Sequence, residues 1–220
     1  MDLTTGAVIL FGLKTVGEPA GKILTDLVER FLGPSVDIAG EALRKFIEAR
    51  LYRGKTVFTD AVQMIHNAGD EPRPVSARIM LQVLEYGSVE EDDELRQRWS
   101  ALLANASIRP GNILPGFAEI LRQMTSVHAR VLDWMYEQWI GSQIAGASAV
   151  RSGEELQAQS LIDADQYGLI MSDLDRLNLI RGASTRFDTA WQPPVYEQVA
   201  LTTLGAAFVS ACRPPVGTRS

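Results

Sequence analysis

The sequence predicts a mainly α protein: a helical amino-terminal and central bundle, then a winged-helix-like module with a small β-hairpin. Three observations lead there. Apolar residues recur at helical spacing, punctuated by proline and glycine, through roughly the first 140 residues. Strand-like alternation appears only late, at Val195, Glu197 and Val199. Beyond residue 126 the order helix, helix, helix, hairpin, helix is that of a winged helix. The expected organisation is an amino-terminal helical region over 1–70, a central bundle over 71–124, the winged-helix-like module over 125–212 and a frayed tail over 213–220.

The elements follow in chain order. Residues 1–17 form a short apolar segment, and Pro19 opens a helix through Ile23, Leu24, Leu27, Val28 and Phe31 that Gly33-Pro34 ends. A longer helical stretch covers 36–66 with a break near Gly54, and residues 67–72 make a loop. Pro74 starts a helix with Val75, Ile79, Val83 and Tyr86 on one face. Ser88-Val-Glu-Glu91 reads as a capping box, and the acidic run from Glu90 to Glu94 suits the positive end of a helix dipole. Leu95, Trp99, Leu102, Leu103 and Ala106 then form an apolar stripe. After the loop Arg109-Pro-Gly-Asn112, the residues Phe117, Ile120, Leu121 and Met124 repeat it. Helices joined by such short loops are antiparallel neighbours, hence a bundle.

Ser126 is read as the cap of a helix reaching about Trp139 with Val127, Val131, Leu132 and Met135 inward. A polar, Gly- and Ser-rich stretch occupies 141–153, and helical patterns return over 154–164 and 167–178. Leu179-Ile180 leaves the second of these into extended chain, 181–194 is turn-like, and 195–201 suits a strand. Thr202 or Thr203 caps a last helix carrying Leu204, Phe208 and Ala211.

Composition narrows the function. Of the 220 residues 46% are hydrophobic and 22% charged, which places the chain among globular proteins rather than disordered ones. One cysteine and two histidines exclude a disulfide scaffold, a zinc ribbon and an iron–sulfur site, and no cofactor is expected. The net charge is −6, with acidic residues in excess in every third of the chain. Nucleic-acid affinity depends on neutralising phosphates, so such a chain is a poor default binder. All four lysines fall in the first quarter. The apolar run from Ala7 to Leu13 is far shorter than a membrane span and lacks the basic start of a secretory signal, so the expected compartment is the cytoplasm, with membrane association as an option.

Each residue group with chemical potential has a plainer reading. Gly17-Glu-Pro-Ala-Gly21-Lys22 has three residues between its glycines where a phosphate loop needs four, and Ile23 stands where the hydroxyl belongs. Carboxylates from Glu90 to Glu94 diverge around a helix, which favours a solvated helix start over a cation site. Cys212 reads as a small buried hydrophobe, and His66 and His128, without a nucleophile partner in any motif, are placed on helix surfaces. No catalytic activity and no small-molecule substrate are expected.

Two surfaces remain. In the winged-helix reading the recognition helix carries Asp173 and Asp175 beside Arg176, so Arg151, Arg181 and Arg186 would have to supply its missing positive charge. A protein-binding or structural use outweighs DNA binding. Near the amino terminus Val8, Ile9 and Phe11 with Lys14 and Lys22 suit a membrane interface or a partner helix; Asp26 and Glu29 oppose an anionic surface and favour the partner.

The segment Glu91-Asp-Asp-Glu-Leu-Arg-Gln-Arg-Trp-Ser-Ala-Leu-Leu-Ala-Asn-Ala106 resembles the signature of the bacterial abortive infection alpha family, an acidic cap leading into a Leu…Trp…Leu-Leu-Ala-Asn helix. Pro115-Gly-Phe-Ala-Glu-Ile-Leu-Arg-Gln-Met124, His128-Ala-Arg-Val-Leu-Asp133, Leu174-Asp-Arg-Leu-Asn-Leu-Ile180 and Leu201-Thr-Thr-Leu-Gly-Ala-Ala-Phe208 are similar to later parts of it, and Glu18-Pro-Ala with Leu32-Gly-Pro34 to its opening. The likeness covers most of 15–212 and departs at Asn178, where the family-like pattern is Leu-Gly-Leu-Ile. It implies phage defence and supplies no catalytic residues. The expected protein is a non-enzymatic defence factor acting through protein partners, self-association or a membrane surface; the alternative is a winged-helix transcription regulator.

Overall fold

The computed structural model describes residues 50, 53–109, 111–145, 151–152, 155, 162–183, 196 and 198–217. Over these the protein is mostly helical, with one small antiparallel sheet. The helix expected over 19–33, the part before residue 50 of the stretch expected over 36–66, and the Gly17–Lys22 segment lie outside the described residues. The chain divides into two compact units, residues 1–122 with 211–220, and residues 123–210.

Helix α3 (Asp93–Ile108) is the centre of the first unit, packed by α1 (Lys55–Asn67), α2 (Ala77–Glu85) and α4 (Gly116–Leu121). The stripe Leu95, Trp99, Leu102, Leu103 and Ala106 is buried, against Phe58 and Ile65 of α1, Ile79 and Val83 of α2, and Phe117 and Leu121 of α4 in the same core. Burial does not stop at the stripe: every residue from Trp99 to Ile108 is buried, so α3 is enclosed all round. Small residues permit this, and each buried hydroxyl or amide has a partner. Ser107 Oγ accepts from Arg73 N and donates to Arg73 O, both at 2.6 Å. Asn105 Nδ2 faces three carbonyls, Ala101 O at 3.0 Å, Ala211 O at 3.0 Å and Arg213 O at 2.8 Å, and so fastens the returning carboxy-terminal chain onto α3.

The start of α3 differs from the expected capping box. Its N-cap is Asp92, whose Oδ1 accepts from Glu94 N at 2.9 Å and Leu95 N at 3.0 Å, while Glu90 Oε1 takes Asp92 N. Ser88 instead lies buried in a 3-10 turn (Gly87–Val89), donating to Leu84 O at 2.6 Å. A carboxylate accepts amide hydrogens more strongly than a hydroxyl does, so the later acid wins the cap. Likewise Pro74 precedes rather than opens α2, which begins after Ser76.

In the second unit α5 (Ser126–Ala145) packs on the sheet strand β3 (Gln198–Leu201), and α6 (Ala164–Arg176) packs on α5 and on β2 (Ile180–Ala183). Strand order is β1-β3-β2, all antiparallel, with β1 (Arg151–Ser152) on one edge. Two expectations change here. The cap of α5 is Thr125, one residue earlier, because Thr125 O accepts the first helical bond from Ala129 N. The helix expected to end near Trp139 runs on into the Gly- and Ser-rich stretch: α5 continues through Gly141, where a side chain would meet nothing, and β1 follows. Helix α7 (Thr203–Ala211) closes the order, its N-cap Thr202 Oγ1 accepting from Gly205 N at 2.9 Å. Cys212, one residue past α7, is buried.

Helix α6 ends at the position where the family-like pattern has glycine. Asn178 adopts φ 57°, Asn178 N bonds Asp175 O at 2.8 Å, and Leu179 N bonds Leu174 O at 3.0 Å, the two bonds of a Schellman cap. Asparagine tolerates the left-handed region better than other residues with a side chain. Asn178→Gly is expected to hold stability to within about 1 kcal/mol of wild type, whereas Asn178→Val should lose about 1–2 kcal/mol in denaturant titration; equal midpoints for the two would contradict this account.

Candidate functional site

Helix α6 is where the second unit concentrates polar groups. Ile170, Met171, Leu174 and Leu177 are buried on its inner face. Flanking them, three ionisable side chains are held by specific partners. Tyr167 Oη donates to Tyr196 O at 2.8 Å, and burial pushes its phenol up to about 12. The Tyr196 hydroxyl meets Asp175 Oδ2 at 3.4 Å and also has Ser172 as a hydrogen-bond partner, with burial raising its pKa. Its ring lies over Gly182 of β2 so closely that a Cβ there would overlap it, which requires glycine at 182.

The third group is His128, on the first turn of α5 and only 6% exposed. Its expected place on a helix surface is therefore wrong. Position 128 is the third of the helix, so the imidazole turns back to the cap: Thr125 N donates to Nδ1 at 3.2 Å and Thr125 Oγ1 lies 2.8 Å from it. With Nδ1 accepting, the hydrogen-bond network assigns the neutral ring's proton to Nε2. Nε2 points toward Asp173 Oδ2 at 3.4 Å without hydrogen-bond geometry, while Asp173 Oδ1 pairs with Arg176 at 2.8 Å and Arg176 also reaches Gln123 Oε1 at 3.1 Å. His66, by contrast, is exposed on α1 as expected.

Burial lowers the pKa of His128 below its ordinary 6.5; Asp173 raises it and Arg176 lowers it, and burial prevails. Between the folded and unfolded pKa values the unfolded chain binds the extra proton. The stability from the neutral ring is thus complete above about pH 6.5 and falls away as pH drops toward the folded value. Melting temperatures from about pH 7.5 to 5 should show this loss, and His128→Gln should flatten it. In proton NMR, Arg176→Met should move the titration of His128 up and Asp173→Asn move it down; no movement in either would refute the network.

Three of the arginines singled out from sequence lie on described residues. Arg151 lies on β1 opposite Val199, Arg181 is exposed on β2 opposite Ala200, and Arg176 is 57% exposed at the end of α6, already paired with Asp173. Arg186, Val8, Ile9, Phe11, Lys14 and Lys22 lie outside the described residues. Glu90 and Asp92 serve the start of α3, and Asp93 pairs with Arg96.

The outward face of α6 has three features that stability does not explain. Asp163 occupies the N-cap but makes no side-chain capping bond. Leu169 is 72% exposed, more than any other large apolar side chain on a described helix. Beside it Gly168 is exposed, and a Cβ there would meet nothing within 4 Å. Glycine inside a helix costs about 0.8–1.0 kcal/mol against alanine, so Gly168→Ala should stabilise the protein by about that amount in thermal or denaturant unfolding. Sequence patterning foreshadowed none of this, because Leu169 stands next to Ile170 and Met171 in one apolar run and nothing local says which of them faces inward.

Among the described residues no helix is long and apolar enough to cross a membrane. A family model described as abortive infection alpha matches residues 53–212. No curated protein and no solved structure matches the chain.

Proposed function

The chain belongs to the abortive infection alpha family, which implies abortive-infection phage defence, and from that premise we propose that it is a non-enzymatic bacterial factor working in the cytoplasm through protein–protein contacts. The observation that carries the mode of action is the outward face of α6. In a winged-helix arrangement this helix would enter the major groove, yet it presents Asp163 and Asp165 beside the exposed Leu169, and its one arginine is engaged by Asp173. Phosphates would be repelled there, whereas an apolar anchor among acids suits a protein.

The strand order β1-β3-β2, with a helix before β1 and α6 before β2, supports a winged-helix arrangement and keeps the transcription-regulator reading as the alternative, with Arg151, Arg176, Arg181 and Arg186 as its phosphate contacts. Expression of the intact chain and of a version lacking residues 2–16 in a bacterium, challenged with a phage panel while dye entry is followed, tests the proposal. Protection without dye entry, from a protein that does not bind duplex DNA, supports protein contacts. Dye entry lost on the truncation would move the action to a membrane surface through Val8, Ile9, Phe11, Lys14 and Lys22. Salt-sensitive duplex binding lost in Arg176→Glu would establish the regulator instead.

A further inference from the structure

A single exposed leucine is ordinary on a protein surface. At α6 it does not stand alone. Asp165, Gly168 and Leu169 are three and four residues apart and share one helix face, with Asp163 just before it. The face thus combines a projecting apolar side chain, a bare backbone beside it and two carboxylates at one end. Each departs from what the isolated helix would choose: the cap residue does not cap, the glycine weakens the helix, and the leucine stays in water. Such local conflicts concentrate where a surface is used.

Charge decides the occupant. On α6 and its cap, Arg176 and Asp173 pair with each other and Asp175 meets the Tyr196 hydroxyl, which leaves Asp163 and Asp165 as the charges that a partner of this face would meet. A second copy docking through the same face would set Asp165 near Asp165, which like charges oppose, and the chain as a whole carries −6. We propose that this face of α6 docks a basic amphipathic helix of a partner protein, with Leu169 entering its apolar side, Gly168 allowing close backbone approach, and Asp163 and Asp165 meeting its lysines or arginines. This rests on the protein-contact reading above. The anchor provides affinity and the carboxylates provide selection and encounter rate.

The test uses the full isotope-labelled chain and two synthetic amphipathic helical peptides with the same leucine face, one bearing lysines and the other glutamates. The lysine peptide is expected to shift the amide signals of Asp165, Gly168 and Leu169, and to bind at least about tenfold tighter than the glutamate peptide. Leu169→Lys, whose side chain is already in water and should leave the melting temperature unchanged, is expected to lose that binding; Gly168→Ala, which raises the melting temperature, should weaken it without removing it. Equal binding of the two peptides, shifts confined to another surface, or undiminished binding by Leu169→Lys would overturn the proposal. Phage challenge separates it from the reading beneath. Protection lost in a folded Leu169→Lys supports both. Protection intact in Leu169→Lys, again without dye entry or duplex binding, overturns α6 as the dock and leaves protein contacts standing. Protection that tracks duplex binding or dye entry overturns both.

Discussion

Gly205→Val is expected to prevent the second unit from folding, with a loss exceeding about 4 kcal/mol. Gly205 is buried in the first turn of α7, where a Cβ would fall directly onto the carbonyl of Leu179, with Leu201 Cδ1 at 2.9 Å as a further obstacle. The obstruction is backbone, so no rotamer change relieves it. That same carbonyl accepts Thr202 N at 3.0 Å and Thr202 Oγ1 at 3.0 Å, and the hydroxyl in turn takes Gly205 N. One glycine therefore lets the cap of α7, the end of β3 and the turn leaving α6 meet at a single carbonyl. Circular dichroism and one-dimensional NMR of Gly205→Val should show loss of cooperative unfolding for this unit. Gly205→Ala should also be destabilised, and a melting curve matching wild type would refute the account.

Trp99→Ala is expected to cost the first unit about 3–5 kcal/mol, the range for truncating a buried aromatic. Trp99 is 0% exposed, and its ring fills the space beside Gly87, where even a Cβ would come within 3.2 Å of it. Its Nε1 is buried without a hydrogen-bond partner, so Trp99→Phe removes a costly unsatisfied donor along with part of the ring. Trp99→Phe should therefore lose far less than Trp99→Ala in urea titration. Similar losses for both variants would mean that the indole nitrogen is satisfied and the packing argument incomplete.

The central helices were legible because their sequence signal is periodic. Leu95, Trp99, Leu102, Leu103 and Ala106 recur at the spacing that puts them on one side of a helix, and all five are buried in α3. A threonine cap for α7, Thr202 of the two residues read for it, and the extended chain after Leu179 were equally local, set by one side chain and by the end of a pattern. Ser88 and Ser126 misled because a capping motif is short and a neighbouring residue with a better acceptor or earlier position can take the role, as Asp92 and Thr125 do. Strand β1 had no signal at all: two residues are too few to alternate, and they are strand only because β3 pairs with them.

The site was less legible than the fold. His128 carries no motif, since its partners lie both three residues back, at Thr125, and on another helix, at Asp173. Asp173 and Arg176 looked like opposing surface charges; the structure pairs them. The exposure of Leu169 follows from which way α6 is turned when Ile170, Met171 and Leu174 are packed inward.

By itself the sequence determined the mainly helical class, the stripe of α3, the acidic balance and the family, because these depend on residue type and on spacings within one element. Only the tertiary structure decided that Asn105 holds Ala211 and Arg213, that Gly205 is obligatory beneath Leu179, that His128 is buried against Asp173, and that α6 turns Gly168 and Leu169 to solvent. Those outcomes join residues far apart in the chain, or depend on how a helix is rotated against its neighbours, and neither is encoded in a local period.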